Sequence, residues 1–188
     1  MKTESSTSKT LDCDISVFIR QVLDGKTTAF AEIVSRYQKK IYSMALGYTR
    51  NLDSALDLSQ EIFLETYKSL HRYDQSRSFT NWILKVASNQ CSKFVRKRVD
   101  IPSENNDSIP DVAQTNPLEI MIKDESRSDI MKAFNKLPED QKMPVWLYYF
   151  FDRSCNQIAE ILEIPLSSVK VRLFRARQTL GSLLEKKR

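Results

Sequence analysis

Residues 154–178 read SCNQIAEILEIPLSSVKVRLFRARQ, and two helices with a tight turn between them account for the pattern. Ser154 and Gln157 have capping-box spacing, so a short helix is expected over Cys155 to Leu162. Glu163-Ile164-Pro165 reads as a turn, and a longer helix runs from about Ser167 to Leu184. On that last helix Val169, Leu173, Ala176 and Leu180 fall at 4-3-4 spacing and point inward. Val171, Phe174, Arg175 and Gln178 point outward, with Lys170 and Arg172 at the flanks. Apolar side chains on the outer face of a basic helix are costly unless something covers them. A thymine methyl or a sugar would do so, while Arg175 can reach guanine or phosphate. A short helix, a turn and a basic helix make a helix-turn-helix. A generic two-helix hairpin is the plainer reading, and the turn, the proline and the charge together disfavour it.

Upstream, Ser128 to Lys136 is expected to be a helix, and Leu137-Pro138-Glu139 restarts the chain with proline at the first helical position. Pro144 lies inside the next helix and should kink it. Residues 121–188 therefore form one small domain. Before it, residues 99–120 carry Pro102, Pro110 and Pro117 among Ser, Asn and acidic residues, the composition of a flexible acidic linker.

A first helical domain is expected over residues 12–98, after a disordered N-terminus at 1–11. Its helices run from Asp14 to Leu23, ended by Asp24-Gly25, and then over about Thr28–Arg50, Asp53–Arg72 and Thr80–Arg98. The fold class is all-α, two small helical domains joined by the linker. The charge is arranged to match: Lys85–Arg98 holds five bases and no acid, Leu166–Arg188 holds seven bases and one acid, and Asp100–Asp129 holds eight acids and two bases.

On the third helix, Leu52, Leu56, Ser59, Phe63, Tyr67 and Leu70 read as the inward stripe. Asp53, Asp57, Glu61 and Glu65 fall four apart on the other side. Like charges at that spacing oppose helix stability by about 0.2–0.5 kcal/mol per pair. With Leu58 and Leu64 beside them, they suggest a docking face for a basic protein partner, against the plainer reading of a solvated face. On the fourth helix, Ile83, Ala87, Gln90 and Phe94 are expected inside. Lys85, Asn89, Ser92 and Arg96 share the outer side, beside Trp82 and Lys93. Just before it, Tyr73, Phe79 and Trp82 interleave with Arg72 and Arg77, the mixture of rings and cations that holds unstacked bases. For Phe79 the competing reading is a cap on the bundle core.

Composition removes other classes. The 188 residues carry a net charge of +5, with 28% charged and 41% hydrophobic residues, so a folded and soluble chain is expected. Three glycines leave no phosphate-cradling loop. Cys13, Cys91 and Cys155 have no metal or disulfide spacing, and one histidine offers little to catalysis. No cofactor, metal, small-molecule substrate or enzymatic activity is expected. The N-terminus has no apolar run, and Met143–Phe151 falls well short of the ~20 residues that span a bilayer. A cytoplasmic protein follows.

Asp57-Leu58-Ser59-Gln60-Glu61-Ile62-Phe63 resembles the DLVQEVF segment of the extracytoplasmic-function (ECF) group of bacterial sigma factors. Phe79 to Asn89 is similar to that group's F-x-x-W-L-x-x-I-A-x-N segment. Leu137-Pro138, Ile158 to Leu162, Ile164-Pro165 and Val169 to Arg177 resemble its LP…IAEIL-x-IP…VK-x-R-x-x-RAR signature. The resemblance implies a transcription initiation factor controlled by an anti-sigma factor, free or membrane-anchored. It implies that Asp53, Asp57, Leu58, Gln60, Glu61, Leu64 and Glu65 bind the β′ clamp helices of core RNA polymerase. Tyr73, Phe79, Asn81, Trp82, Lys85, Ser88, Asn89, Ser92, Lys93 and Arg96 would open and read the -10 element, duplex and then single-stranded. Ser167, Ser168, Lys170, Val171, Arg172, Phe174, Arg175 and Gln178 would read the -35 element, and the second domain would also meet the β flap. Four residues depart from the pattern: Leu56 replaces an acid, Glu163 a turn glycine and Val171 a small polar residue, and Pro144 is unusual. Two rivals fit less of the chain. A helix-turn-helix regulator acting without polymerase leaves the acidic ladder unexplained, and a sequestering mimic has no need of Lys85, Asn89, Lys170 and Arg175.

Overall fold

Several helix boundaries in the first unit have a local chemical cause. In the computed structural model, which describes residues 15–100 and 132–185, helix α1 covers residues 15–23 and buries Ile15, Ile19 and Val22. It ends in a Schellman motif: the Gly25 amide donates to the Val22 carbonyl (3.0 Å) and the Lys26 amide to that of Gln21 (2.9 Å). Gly25 takes the left-handed conformation, φ +91°, that this motif needs. A 3-10 turn over Thr27–Ala29 leads into α2, Phe30–Thr49. Arg50 closes α2 in the left-handed region (φ 56°), its amide 2.9 Å from the Leu46 carbonyl. Asn51 then caps α3, Leu52–Ser69, its Oδ1 accepting from the Ser54 amide at 2.8 Å. A second 3-10 turn, Leu70–Arg72, and a loop lead to α4, Phe79–Asp100.

The core of this unit is built from Ile33, Tyr37, Ile41 and Met44 of α2, Ala55, Leu58 and Ile62 of α3, and Phe79, Ile83, Leu84, Ala87 and Cys91 of α4. Burying each large aliphatic side chain contributes about 1.5–3 kcal/mol. This corrects the expected stripe on α3. The buried residues are Ala55, Leu58, Ser59, Ile62 and Thr66 of α3 with Leu70 just after it; of the expected stripe Ser59 and Leu70 are among them, Leu52 and Phe63 are half-buried, and Leu56 and Tyr67 are exposed. Paired hydroxyls let two polar residues join that face. Ser59 donates to the Leu56 carbonyl (2.8 Å) and Thr66 to that of Ile62 (2.7 Å), so both enter the core with their donors paired. On α4 the buried face is likewise turned, to Ile83, Leu84, Ala87, Ser88 and Cys91, with Gln90 and Phe94 only half-buried.

The chain divides after Asp100 into two units. In the second, residues 132–135 are helical, and Pro138 caps α5, Glu139–Tyr149, one position before the expected first helical place. Helix α5 continues through the buried Pro144, which has no amide to offer the Asp140 carbonyl. Helix α6 is Cys155–Leu162 and α7 is Leu166–Glu185. The capping box forms: the Gln157 amide donates to Ser154 Oγ (3.3 Å), and the Ser154 amide to Gln157 Oε1 (2.9 Å). Glu163 ends α6 with φ 55° and ψ 41°, so the turn accepts the left-handed conformation without a glycine. The core here joins Phe134, Leu137, Val145, Trp146, Leu147, Ile158 and Ile161 to Val169, Leu173 and Ala176 of α7. Lys142 is buried among them and ion-pairs with Glu139 one helical turn earlier. The described residues are helices, turns and loops. The expected N-terminus at 1–11, most of the linker over 99–120 and the helix start at Ser128 lie outside them.

Candidate functional site

The outer side of α3 presents Asp53, Asp57, Gln60 and Glu61 to solvent, bordered by Leu56 and Leu64, which are 50% and 53% exposed. Leu58 does not belong to this face. At 2% exposure it is a core residue, and the exposed leucine of that neighbourhood is Leu56. Glu65 also leaves the face. An i,i+4 step advances about 40° on a helix of ~3.6 residues per turn, so three steps carry Glu65 about 120° from Asp53. Spacing written as a ladder hides that drift.

Around the start of α4, Tyr73, Phe79 and Trp82 form one cluster. The Tyr73 ring centroid lies 5.2 Å from that of Phe79 and 5.3 Å from that of Trp82, and Phe79 and Trp82 are 5.5 Å apart. Phe79 is wholly buried, so its place is in the core beneath the other two and it offers no ring to a base. Tyr73 and Trp82 are half-buried. The loop between them is tied to itself. Tyr73 Oη donates to the Arg77 carbonyl at 2.5 Å, and Asp74 Oδ1 accepts from both the amide (2.9 Å) and the hydroxyl (2.7 Å) of Ser76. Arg77 Nε stands 3.4 Å from Asp74 Oδ2. The Ser76 hydroxyl and amide bonds, with Arg77 nearby, hold the Asp74 carboxyl below its ordinary value.

A groove of about 410 Å³ runs between the end of α3 and the outer side of α4. Trp82, Lys85, Asn89, Lys93 and Arg96 line it from α4, and Glu65, Ser69 and Arg72 from the opposite rim. The stretch from Trp82 to Arg96 is about 21 Å long at ~1.5 Å per helical residue. Ser88 is buried and faces the core, so it is withdrawn from this surface. Ser92 is exposed and Asn81 half-buried, and neither lines the groove. Arg72 was visible in the sequence as a cation among aromatics, but only the fold brings it opposite Lys85.

In the second unit, Ser167, Lys170, Val171, Phe174, Arg175 and Gln178 are exposed along α7, while Ser168 and Arg172 are half-buried. Arg172 Nε lies 3.7 Å from Asp140 Oδ2 of α5. Arg177, which sequence spacing left without a role, donates through Nε to Tyr149 Oη (2.8 Å) and sits 5.3 Å from the Tyr148 ring centroid. The hydrogen bond to Tyr149 raises the arginine's pKa further, and the pair clamps α7 to the end of α5. Among the described residues no cluster of His, Cys, Asp or Glu could hold a metal ion.

The sigma-70 region 2 family matches residues 33–100, and the sigma-70 region 4 family matches residues 127–180. The chain is 30% identical over 176 residues to the ECF RNA polymerase sigma factor SigW of Bacillus subtilis (strain 168), covering 88% of this chain and 94% of that protein. The chain belongs to the ECF group of RNA polymerase sigma factors. This sigma factor is also 28% identical over 179 residues to the ECF RNA polymerase sigma-E factor of Escherichia coli (strain K12), across 90% of the chain and 93% of that protein. Its fold is similar to that of CnrH in complex with the cytosolic domain of CnrY (TM-score 0.68, 18% identity, 92% of this chain and 97% of the other). It is also similar to RpoE in complex with the anti-sigma factor NepR from Bartonella quintana (TM-score 0.63, 21% identity, 85% and 98%). The function of this sigma factor is promoter-specific transcription initiation, and its family is one of non-catalytic initiation factors. Helices α2 to α4 carry the region 2 match, and α5 to α7 the region 4 match. Among the described residues no helix is long and apolar enough to cross a membrane.

Proposed function

We propose that the acidic face of α3 docks this sigma factor on the β′ clamp helices of core RNA polymerase through Asp53, Leu56, Asp57, Gln60, Glu61 and Leu64. With the factor held there, Tyr73, Trp82, Lys85, Asn89, Lys93 and Arg96 take up the unpaired strand of the -10 element. The rings stack on bases and the cations neutralise phosphates, so binding offsets the cost of unpairing. Helix α7 then lies in the major groove of the -35 element with Lys170, Val171, Phe174, Arg175 and Gln178 toward the bases, and the same unit meets the β flap. The working domains are residues 12–98 and 121–188, joined by the acidic segment 99–120. The protein acts in the cytoplasm, performs no catalysis of its own, and is restrained by an anti-sigma factor that covers these faces.

The observation that carries the reading is the division of charge within one four-helix unit. The exposed carboxylates on α3 suit a basic protein partner, and the cationic groove beside Trp82 suits a polyanion. Reversal of Asp57 and Glu61 to lysine tests it, because both side chains are exposed and the fold does not depend on them. The double variant keeps its helical circular dichroism and no longer co-elutes with sigma-free core polymerase. Normal co-elution would remove the docking assignment.

A further inference from the structure

Glu65 belongs with the groove and not with the docking face. Four cations, Arg72, Lys85, Lys93 and Arg96, line the same groove. Among the described residues the Glu65 carboxylate ion-pairs with none of them. Ser69, one turn later, spends its hydroxyl on the Glu65 backbone carbonyl at 2.6 Å, so it leaves the carboxylate oxygens alone. Glu65 is half-buried on α3 and lines the groove together with Trp82 and Asn89.

A carboxylate in a phosphate-binding groove weakens the attraction for the nucleic-acid backbone, so its presence calls for a base. An ionised carboxylate only accepts hydrogen bonds, and it accepts two in parallel. Among unpaired bases, guanine alone offers two adjacent donors on its Watson–Crick edge, N1–H and the N2 amino group. Adenine and cytosine put an acceptor beside their amino group, and thymine flanks its single N–H with two carbonyls. Guanine therefore pairs with both carboxylate oxygens, while each other base leaves an acceptor facing an acceptor. The volume of about 410 Å³ lies within the ~300–1,000 Å³ typical of small-molecule sites.

We propose that Glu65 is a specificity-determining residue that accepts two hydrogen bonds from an unpaired guanine of the promoter strand, held in the α3–α4 groove by the surrounding cations. This rests on the reading of the groove as the site of the opened -10 strand. The test uses holoenzyme reconstituted from the full chain and core polymerase, transcribing a promoter library randomised across the melted segment. The wild-type holoenzyme selects guanine at one position, and Glu65→Ala loses that selection by roughly 5- to 100-fold while preferences elsewhere persist. Inosine, which lacks the N2 amino group, lowers wild-type initiation when placed at that position and leaves E65A unaffected. Three results overturn the inference: no guanine preference in the wild type, an unchanged preference in E65A, or a uniform rise of E65A activity on every sequence. The last would mark Glu65 as simple repulsion. Failure of the wild-type holoenzyme to initiate from any library member would instead overturn the proposed function.

Discussion

The hydroxyls of Tyr37 and Thr80 lie 2.8 Å apart, joining the middle of α2 to the first turn of α4 across 43 residues of sequence. The same tyrosine ring meets Phe79 edge-on with centroids 5.8 Å apart, and Phe79 in turn supports Tyr73 and Trp82. The two half-buried rings are thus carried on the core of the unit. Tyr37→Phe keeps the ring and removes the hydroxyl, so it lowers stability by about 0.5–1.5 kcal/mol in urea unfolding. An unchanged midpoint and slope would show that Thr80 is satisfied without Tyr37.

The turn of the helix-turn-helix holds Glu163 where glycine is preferred. A left-handed conformation costs an L-residue roughly 1–2 kcal/mol, part of which glycine gives back through chain entropy. Glu163→Gly therefore stabilises the chain by about 0.5–1 kcal/mol, whereas Ser154→Ala, at the other end of α6, destabilises it by about 0.5–2 kcal/mol. Thermal unfolding that moves the two variants in the same direction would contradict the capping account.

Val171 and Phe174 stand 45% and 60% exposed, three residues apart on α7. On the proposed docking in the major groove, thymine methyl groups would cover them. Replacing thymine by deoxyuridine in the upstream element weakens wild-type binding several-fold and leaves a Val171→Ser, Phe174→Ser double variant indifferent. Equal binding of both DNAs by the wild type would leave the apolar pair without a base contact.

The loop that follows Tyr73 is predicted to resist acid. Because its bonds from Ser76 depress the Asp74 carboxyl, the loop contribution is fully present above the ordinary carboxylate range and is lost only as pH falls through the depressed value. In an NMR titration the Ser76 amide and the Asp74 carboxyl shift together, with a midpoint below ~3.9. A midpoint at or above that value would mean that the Ser76 bonds are absent in solution.

The all-α class and the outer face of α7 were legible in the sequence because apolar spacing, caps and turn residues agreed there. The faces of α3 and α4 were read less well, for two physical reasons. Periodicity ranks side chains by apolarity, so Ser88 is read as DNA-facing and Thr66 is given no place in the stripe, although both enter the core, Thr66 pairing its hydroxyl with its own helix. A four-residue ladder also ignores helical drift, which hid Glu65 in the groove and left Leu58 on a face it does not share. Phe79 was a matter of burial, which no one-dimensional pattern assigns. The Arg177–Tyr149 clamp joins residues 28 apart through a loop, beyond the reach of local spacing.

The central claim, that this chain gives core polymerase its promoters, is tested most directly by mapping transcript starts. Purified protein is mixed with sigma-free core polymerase and genomic DNA, and the 5′ ends of the run-off transcripts are sequenced. Discrete start sites that share two upstream elements are the expected result, with one element lost when the exposed face of α7 is neutralised. Start sites no different from those of core polymerase alone, with sequence-specific duplex binding by the isolated chain, would contradict the account.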